Sequence, residues 1–392
     1  MTTAKDATIL SLNSGSSSLK FGLYRVGSTD VEAVLSGEAE AIGDAKAAFH
    51  AKGARGDTIV SDAGAIPSQQ EAVIRIAALI ADQALPAPTA IGHRVVHGGP
   101  KLRRHRLINA AVMAELEAAV DFAPLHAPSI LAVIRYARER FPGTPNVACF
   151  DTAFHAGMPP VARVLPIARQ LRSEGVERYG FHGLSCESIV RQLGADMPER
   201  LIIAHLGNGA SVTAVKAGAS IDTSMGLTPT GGLIMGARCG DLDPGVLIYL
   251  IRKNNLDAAA LEDLLDRHSG LLGISGLASD MRALHEASPA NADAVLAVAM
   301  FCASARKHIA GMVAALDGVD MIVFTGGIGE NDAIVRGGIC AGLSWMGIAL
   351  DAALNRSGAA SISATSSRCA IRVLPSMEDE EIALATARVA RL

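Results

Sequence analysis

Apolar and polar positions along the chain follow two rhythms. Residues 8–12 form a short apolar run, residues 13–20 a polar Gly/Ser stretch, and residues 21–26 alternate apolar with polar. This pattern predicts strand, turn, strand. Residues 201–205, 206–211 and 212–215 repeat the plan. A looser third copy has an apolar strand over 321–324, a glycine-rich turn over 325–331 and a helical run from Asp332. Apolar residues at helical spacing, such as Val73, Ile76, Ala77 and Ile80, predict a helix over 69–83. Similar spacing predicts helices over 110–120, 129–140, 184–193, 244–253, 256–266, 290–316 and 379–392. Strands are expected over 90–96, 146–150 and 370–374. Residues 39–65, rich in Ala, Gly and Asp, have weak periodicity and yield no assignment.

The alternation of strands and helices reads as an α/β chain. Its 392 residues suit two domains, and half of them are hydrophobic, enough for packed cores. No flexible linker separates the halves. The 35 basic and 39 acidic residues nearly balance, which argues against nucleic acid or an anionic membrane as the main partner. Aromatic residues, at 4%, are too few for base-stacking platforms. No stretch reads as a membrane span and no apolar leader opens the sequence. The six cysteines form no C-x-x-C pair, so free thiols in a cytoplasmic protein are expected.

The 39 glycines raise the content to about 10%, against a usual level of about 7%. They cluster at the turns after the apolar strands. Such turns expose backbone N–H groups with no Cβ in the way and can cradle an anion. Neither a Walker A loop nor a G-x-G-x-x-G fingerprint is present. Ordinary hairpin turns are the competing explanation for any single copy.

Chemistry-bearing residues lie in similar surroundings. Arg94 sits in a strand-like segment with His93 before it and His97 after it, ahead of a double glycine. Arginine suits bidentate recognition of carboxylate or phosphate; a surface arginine flanked by structural histidines is the plainer alternative. Asp151 follows an apolar strand, a common catalytic position in α/β sheets, where an Asp capping the next helix is equally plausible. His126 lies in a segment bounded by two prolines, and His182 precedes a glycine. Residues 224–245 carry Arg238, Asp241 and Asp243 in a long irregular stretch. Asp280 and Arg282 mark another polar loop. The acidic run 378–381 suits a helix N-terminus, a reading accepted for Glu380 and Glu381. Together, Gly/Ser turns, two arginines, a histidine and carboxylates point to phosphoryl transfer.

Nine segments then carry a resemblance: NSGSSSLKF (13–21), GHRVVHGG (92–99), PLHAP (124–128), FDTAFH (150–155), RYGFHG (178–183), HLGNGAS (205–211), MGARCGDLDPG (235–245), GISGLASDMR (273–282) and FTGGIGEN (324–331). Their order and content resemble the acetate kinase family, within the superfamily of sugar kinases, actin and heat-shock chaperone ATPases. The resemblance implies duplicated ribonuclease H-like (actin-like ATPase) domains, each a mixed sheet flanked by helices, with an active-site cleft between them. It puts the domains at 1–147, completed by 376–392, and 148–375. The implied activity is reversible Mg²⁺-dependent transfer between ATP and acetate, giving acetyl phosphate and ADP, with Mn²⁺ as a substitute cation. A homodimer is implied as well.

Roles carry over by position. Arg94 and Arg238 resemble the pair that binds the carboxylate and steadies the transferring phosphoryl group. His182 resembles the residue that contacts that group, and Asp151 the essential aspartate. Val96, Leu125, Phe181 and Pro229 match the acyl pocket, and His126 a supporting histidine. Asn13, Ser16, Ser18 and Lys20 match the first phosphate hairpin. His205, Gly207, Asn208 and Gly209 match the second. Asp280, Arg282, Gly327, Ile328, Gly329 and Asn331 match the adenosine side. Asn13 and Glu378 match the metal-linked positions, with Glu380 as the alternative to Glu378. The chain departs from the family at Thr230–Gly231, beside Pro229, which bears on acyl-chain preference. Propionate kinase activity and a non-catalytic actin-like nucleotide-binding role are the rival readings.

Overall fold

The computed structural model describes residues 7–15, 17–27, 30–288 and 290–392. They form two compact units: residues 1–156, 183–188 and 377–392 make the first, and residues 157–182 and 189–376 the second. The architecture is mixed α/β, with one mixed sheet per unit flanked by helices.

In the first unit, strands β1 (Ala7–Ser14), β2 (Leu19–Val26), β3 (Val31–Glu40), β4 (Ala48–Gly53), β5 (Thr58–Ala63), β6 (Ala90–Val95), β7 (Arg106–Leu107) and β8 (Asn146–Phe150) build an eight-stranded sheet. Its order is β5-β4-β3-β2-β1-β6-β8-β7, with β1, β6 and β8 parallel. β1 and β2 form the expected hairpin, Asn13 standing opposite Lys20. β4, β5 and the end of β3 occupy the stretch 39–65 that gave no assignment.

β1 is buried throughout, and its two-residue period explains how. Leu10 and Leu12 pack with Val73, Ile76, Val133 and Ala137 of the helices Gln69–Asp82 and Ala127–Arg140. Ala7 and Ile9 face Ala383 and Ala387 of the helix Glu378–Ala390. The same helix covers Val147 and Cys149 of β8 through Ile382 and Ala385. It can lie this close because β6 carries Gly92. A Cβ there would collide with Thr386 Oγ1 and meet Ile382 Cγ2 at 2.6 Å.

The second unit holds β9 (Arg200–Leu206), β10 (Ala210–Lys216), β11 (Ala219–Thr223), β12 (Met321–Thr325) and β13 (Ala370–Val373), in the order β11-β10-β9-β12-β13. Here β9, β12 and β13 are parallel, while β10 is antiparallel to β9 and β11 to β10. The five strands β3-β2-β1-β6-β8 of the first unit have this same order and direction. The repeated hairpin in the sequence is thus the start of a repeated sheet.

One expectation is corrected. The third glycine-rich segment is not a turn before a helix; it is itself the helix Gly326–Asn331, which begins directly after β12. The helix Ala292–Ala315 has the length and mean hydropathy of a membrane span, the single one among the described residues, but it carries Asp293, Arg306, Lys307 and Gly311, so the expectation of no uninterrupted apolar span stands. Its stripe of Ala297, Phe301, Ala305, Ile309 and Met312 is buried at helical spacing, and the helix packs on β9 and β10.

Candidate active site

Three parallel strands of the first unit end together and present polar residues at their carboxyl ends. Asn13 lies near the end of β1, Arg94 lies on β6, and Asp151 follows β8, its amide donating to the Val95 carbonyl at 3.0 Å. Arg94 Nε donates to both Asp151 carboxylate oxygens, at 3.1 and 2.9 Å, and Nη2 donates to Oδ2 at 2.6 Å. Nη1 donates to Asn13 Oδ1 at 3.1 Å, and Asn13 Nδ2 donates to Asp379 Oδ1 at 3.2 Å. Asp151 is therefore a fixed partner of Arg94 and not a helix cap.

The charges here are strongly interdependent. Burial opposes the Arg94 charge, but Asp151 and then Glu378 outweigh it and hold the guanidinium above its usual value. Burial pushes the Asp151 carboxyl up, against the pull of Arg94. Burial and the adjacent Glu378 likewise push Asp379 up. The flanking histidines are structural. Buried His93 Nε2 bonds Asn146 Oδ1 at 2.7 Å, and His97 Nδ1 accepts from the Gly99 amide at 2.8 Å.

Val96 is buried and lines a void of about 10 Å³ with Leu116, Ala123 and Ile130. Leu125 is half-buried, and His126 caps the helix Ala127–Arg140. Ser129 on that helix donates to the Gly15 carbonyl at 3.2 Å, and the Gly15 amide donates to the Ser18 carbonyl at 2.9 Å. Lys20 is exposed on β2, and Ser16 lies outside the described residues.

In the second unit, the β9–β10 turn is closed by the Gly207 amide donating to the Gly209 carbonyl at 3.0 Å. His182 and Arg238 converge on it. A Cβ at Gly209 would meet His182 Nε2 at 3.1 Å and Arg238 Nη1 at 3.5 Å. His182 has φ 58°, uncommon for a residue with a side chain. Its ring stacks on His205 at 4.1 Å, and its Nδ1 bonds Ser211 Oγ at 2.9 Å. Arg238 Nη1 also donates to the Pro229 carbonyl at 3.3 Å. Phe181 is buried beside His182 in the chain.

A cavity of about 860 Å³ adjoins the turn, lined by Gly207, Asn208, Asp280, Arg282, Gly327, Ile328 and Asn331 among others. Asp280 caps the helix Met281–Ala287 and pairs with Arg282 at 3.1 Å. The helix Gly326–Asn331, which includes Gly329, is pinned from behind. Fully buried Arg336 donates to the carbonyls of Gly329 and Glu330 at 2.8 and 2.9 Å, and Glu330 Oε1 accepts from the Gly326 amide at 2.9 Å.

Sequence reasoning missed Asp379, Ser211 and Arg336. Ser211 closes the HLGNGAS segment, so its signal was present; Asp379 was hidden in an acidic helix start; Arg336 had no local signal.

Burial pushes the thiols of Cys149 and Cys340 up to about 12, which makes both poor nucleophiles. No three His, Cys, Asp or Glu side chains among the described residues form a metal cage. Asn13 and Glu378 offer only a few hard oxygen donors, which fits a divalent cation carried largely by substrate phosphates.

The acetokinase family model matches residues 8–385. An acetate kinase of Methylocella silvestris is 42% identical, covering 96% of each chain, and one of Symbiobacterium thermophilum is 42% identical over 98% of this chain and 99% of its own. Among solved structures, acetate kinase of Porphyromonas gingivalis superposes with a TM-score of 0.87 at 35% identity, covering 98% of this chain and 100% of its own. A propionate kinase of Francisella tularensis does so with 0.92 at 34%, with the same coverage. Matched over residues 8–385, this chain belongs to the acetokinase family.

Proposed function

We propose that this chain is an acetate kinase, transferring the γ-phosphoryl group of ATP to acetate in a reversible reaction. The observation that carries it, beyond family membership, is the convergence of His182 Nε2 and Arg238 Nη1 on the Gly209 turn. Two side-chain nitrogens brought together at a glycine turn suit a transferring phosphoryl group, whose charge spreads over three oxygens.

Acetate attacks as its carboxylate, which is ionised at neutral pH, so no strong base is required. Arg94 binds that carboxylate with what remains of its fork. Asp151 acts as a positioning group: its hydrogen bonds from Arg94 fix the guanidinium. Val96, Leu125, Phe181 and Pro229 shape the acyl pocket, with His126 in support. Asn13, Ser16, Ser18 and Lys20, and His205, Gly207, Asn208 and Gly209, serve the nucleotide phosphates. Asp280, Arg282, Gly327, Ile328, Gly329 and Asn331 serve the adenosine. Family membership implies ATP and a divalent cation. Mg²⁺ is the cation proposed, held by Asn13 and Glu378, where it would neutralise phosphate charge.

We further propose a cytoplasmic homodimer without nucleic-acid or membrane partners. In its support, Val246, Ile248, Tyr249 and Ile251 of the helix Pro244–Asn254 are exposed apolar residues. Sedimentation of wild type and Ile248→Asp tests it.

The propionate kinase neighbour keeps a second substrate in view. A pocket separates one methylene by only about 1–3 kcal/mol. Hydroxamate trapping of the acyl phosphate, run with acetate, propionate and butyrate, decides between them. Highest kcat/KM on acetate is expected; no acyl phosphate from any of the three defeats the proposal.

A further inference from the structure

One hydrogen-bonded pair lines the 860 Å³ cavity without a role so far: His285 and Asp332. His285 lies on the helix Met281–Ala287, and Asp332 caps the helix Ala333–Ala341. His285 Nε2 bonds Asp332 Oδ2 at 2.8 Å, while Asp332 Oδ1 accepts from the Val335 amide at 2.9 Å. Both oxygens of the carboxylate are thus engaged as acceptors, and the proton of the neutral imidazole is fixed on Nε2. The lone pair is left on Nδ1.

The lining of the cavity is mixed in chemical character. Near Gly207 and Gly209 lie backbone amides, His182 and Arg238, which suit phosphate. The cavity is also lined by Asp280, which is paired with Arg282, by Asp332, which is bonded to His285, and by apolar Ile328 and Ile334, which suit an uncharged ring. We infer that His285 reads the purine base: its Nδ1 accepts from an exocyclic amino group and disfavours a carbonyl at the same position. The inference rests on the kinase reading and adds a preference for 6-aminopurine over 6-oxopurine nucleotides.

Asp332→Asn is an informative variant. Its carbonyl oxygen keeps the helix cap, so its amide nitrogen faces His285, donates to Nε2 and moves the ring proton to Nδ1.

The test compares kcat/KM for ATP and ITP, with saturating acetate at pH 8. Wild type should favour ATP about tenfold. His285→Ala should bring the ratio close to one through the KM for ATP, with kcat and the KM for acetate retained. Asp332→Asn should lower the ratio or reverse it. A ratio unchanged in both variants, or a joint fall in kcat for both nucleotides, overturns the inference. Displacement of a bound fluorescent ATP analogue by ATP or ITP reads the same preference without turnover. Selective adenine binding with no acyl phosphate formed would therefore defeat the kinase reading alone.

Discussion

Arg94 gives Asp151 three hydrogen bonds and keeps a fourth for Asn13, so a single guanidinium ties together the ends of three parallel strands. Asp151 is fully buried. Asp151→Asn should therefore lower kcat by about 10²-fold or more, through loss of Arg94 orientation. It should also cost about 3 kcal/mol of stability, because Arg94 loses its direct hydrogen bonds to a buried carboxylate. Hydroxamate kinetics and thermal melts read the two effects. Near-normal kcat in a folded variant would remove Asp151 from the mechanism.

Arg238 is expected to act on the transition state. Arg238→Ala should cut kcat by about 10²–10³-fold while the KM for ATP moves much less. Retained kcat with acetate and ATP would refute that role.

Gly209→Ala tests the convergence directly. The new methyl would press on His182 Nε2 at 3.1 Å, without backbone strain. A displacement of a few tenths of an ångström should lower kcat/KM for ATP by about tenfold and leave the melting temperature nearly unchanged. An equal loss of stability and activity would mean that the glycine serves folding alone.

His93 should make the fold acid-sensitive. Burial lowers its pKa from 6.5 to about 4, so the folded state favours the neutral ring more than the unfolded state does. This contribution is complete above pH 6.5 and is lost as pH falls toward 4, amounting to about 3 kcal/mol. Urea unfolding of wild type and His93→Gln at pH 7.5, 5.5 and 4.5 checks it. The variant should show the shallower decline.

Gly92→Ala probes the docking of the helix Glu378–Ala390. Its methyl overlaps Thr386 Oγ1, and overpacking of this kind costs about 1–3 kcal/mol. Lower thermal stability is expected, with a reduced kcat because Glu378 and Asp379 shift. An unchanged melting temperature would count against this close approach.

Much of this was legible because the signals are local. The hairpins announced themselves through an apolar strand, a Gly/Ser or Gly/Asn turn and a second alternating strand, and β1–β2 and β9–β10 follow that reading. β4 and β5 did not, because they are short and their burial patterns are mostly exposed or mixed. They are held by the ladder, β4 pairing with β3 and β5 with β4, and by Phe49 and Ala51, which reach the core. Arg94 and Asp151 could be named from their motifs, but their mutual hydrogen bonds depend on neighbouring parallel strands. Asp379 looked like one acid among four at a helix start, which the macrodipole explains. Only the return of that helix over 366 residues brings it to Asn13. Arg336 was invisible because its partners are backbone carbonyls and Asn355.

That return of the helix also orders events during synthesis. Residues 377–392 leave the ribosome after all of the second unit, yet they cover Ala7, Ile9, Val147 and Cys149 of the first. Until then, one face of the first sheet has no cover and Asn13 lacks Asp379. The first unit to be translated is thus the second to be finished, and its polar cluster is assembled only once both sheets have been made.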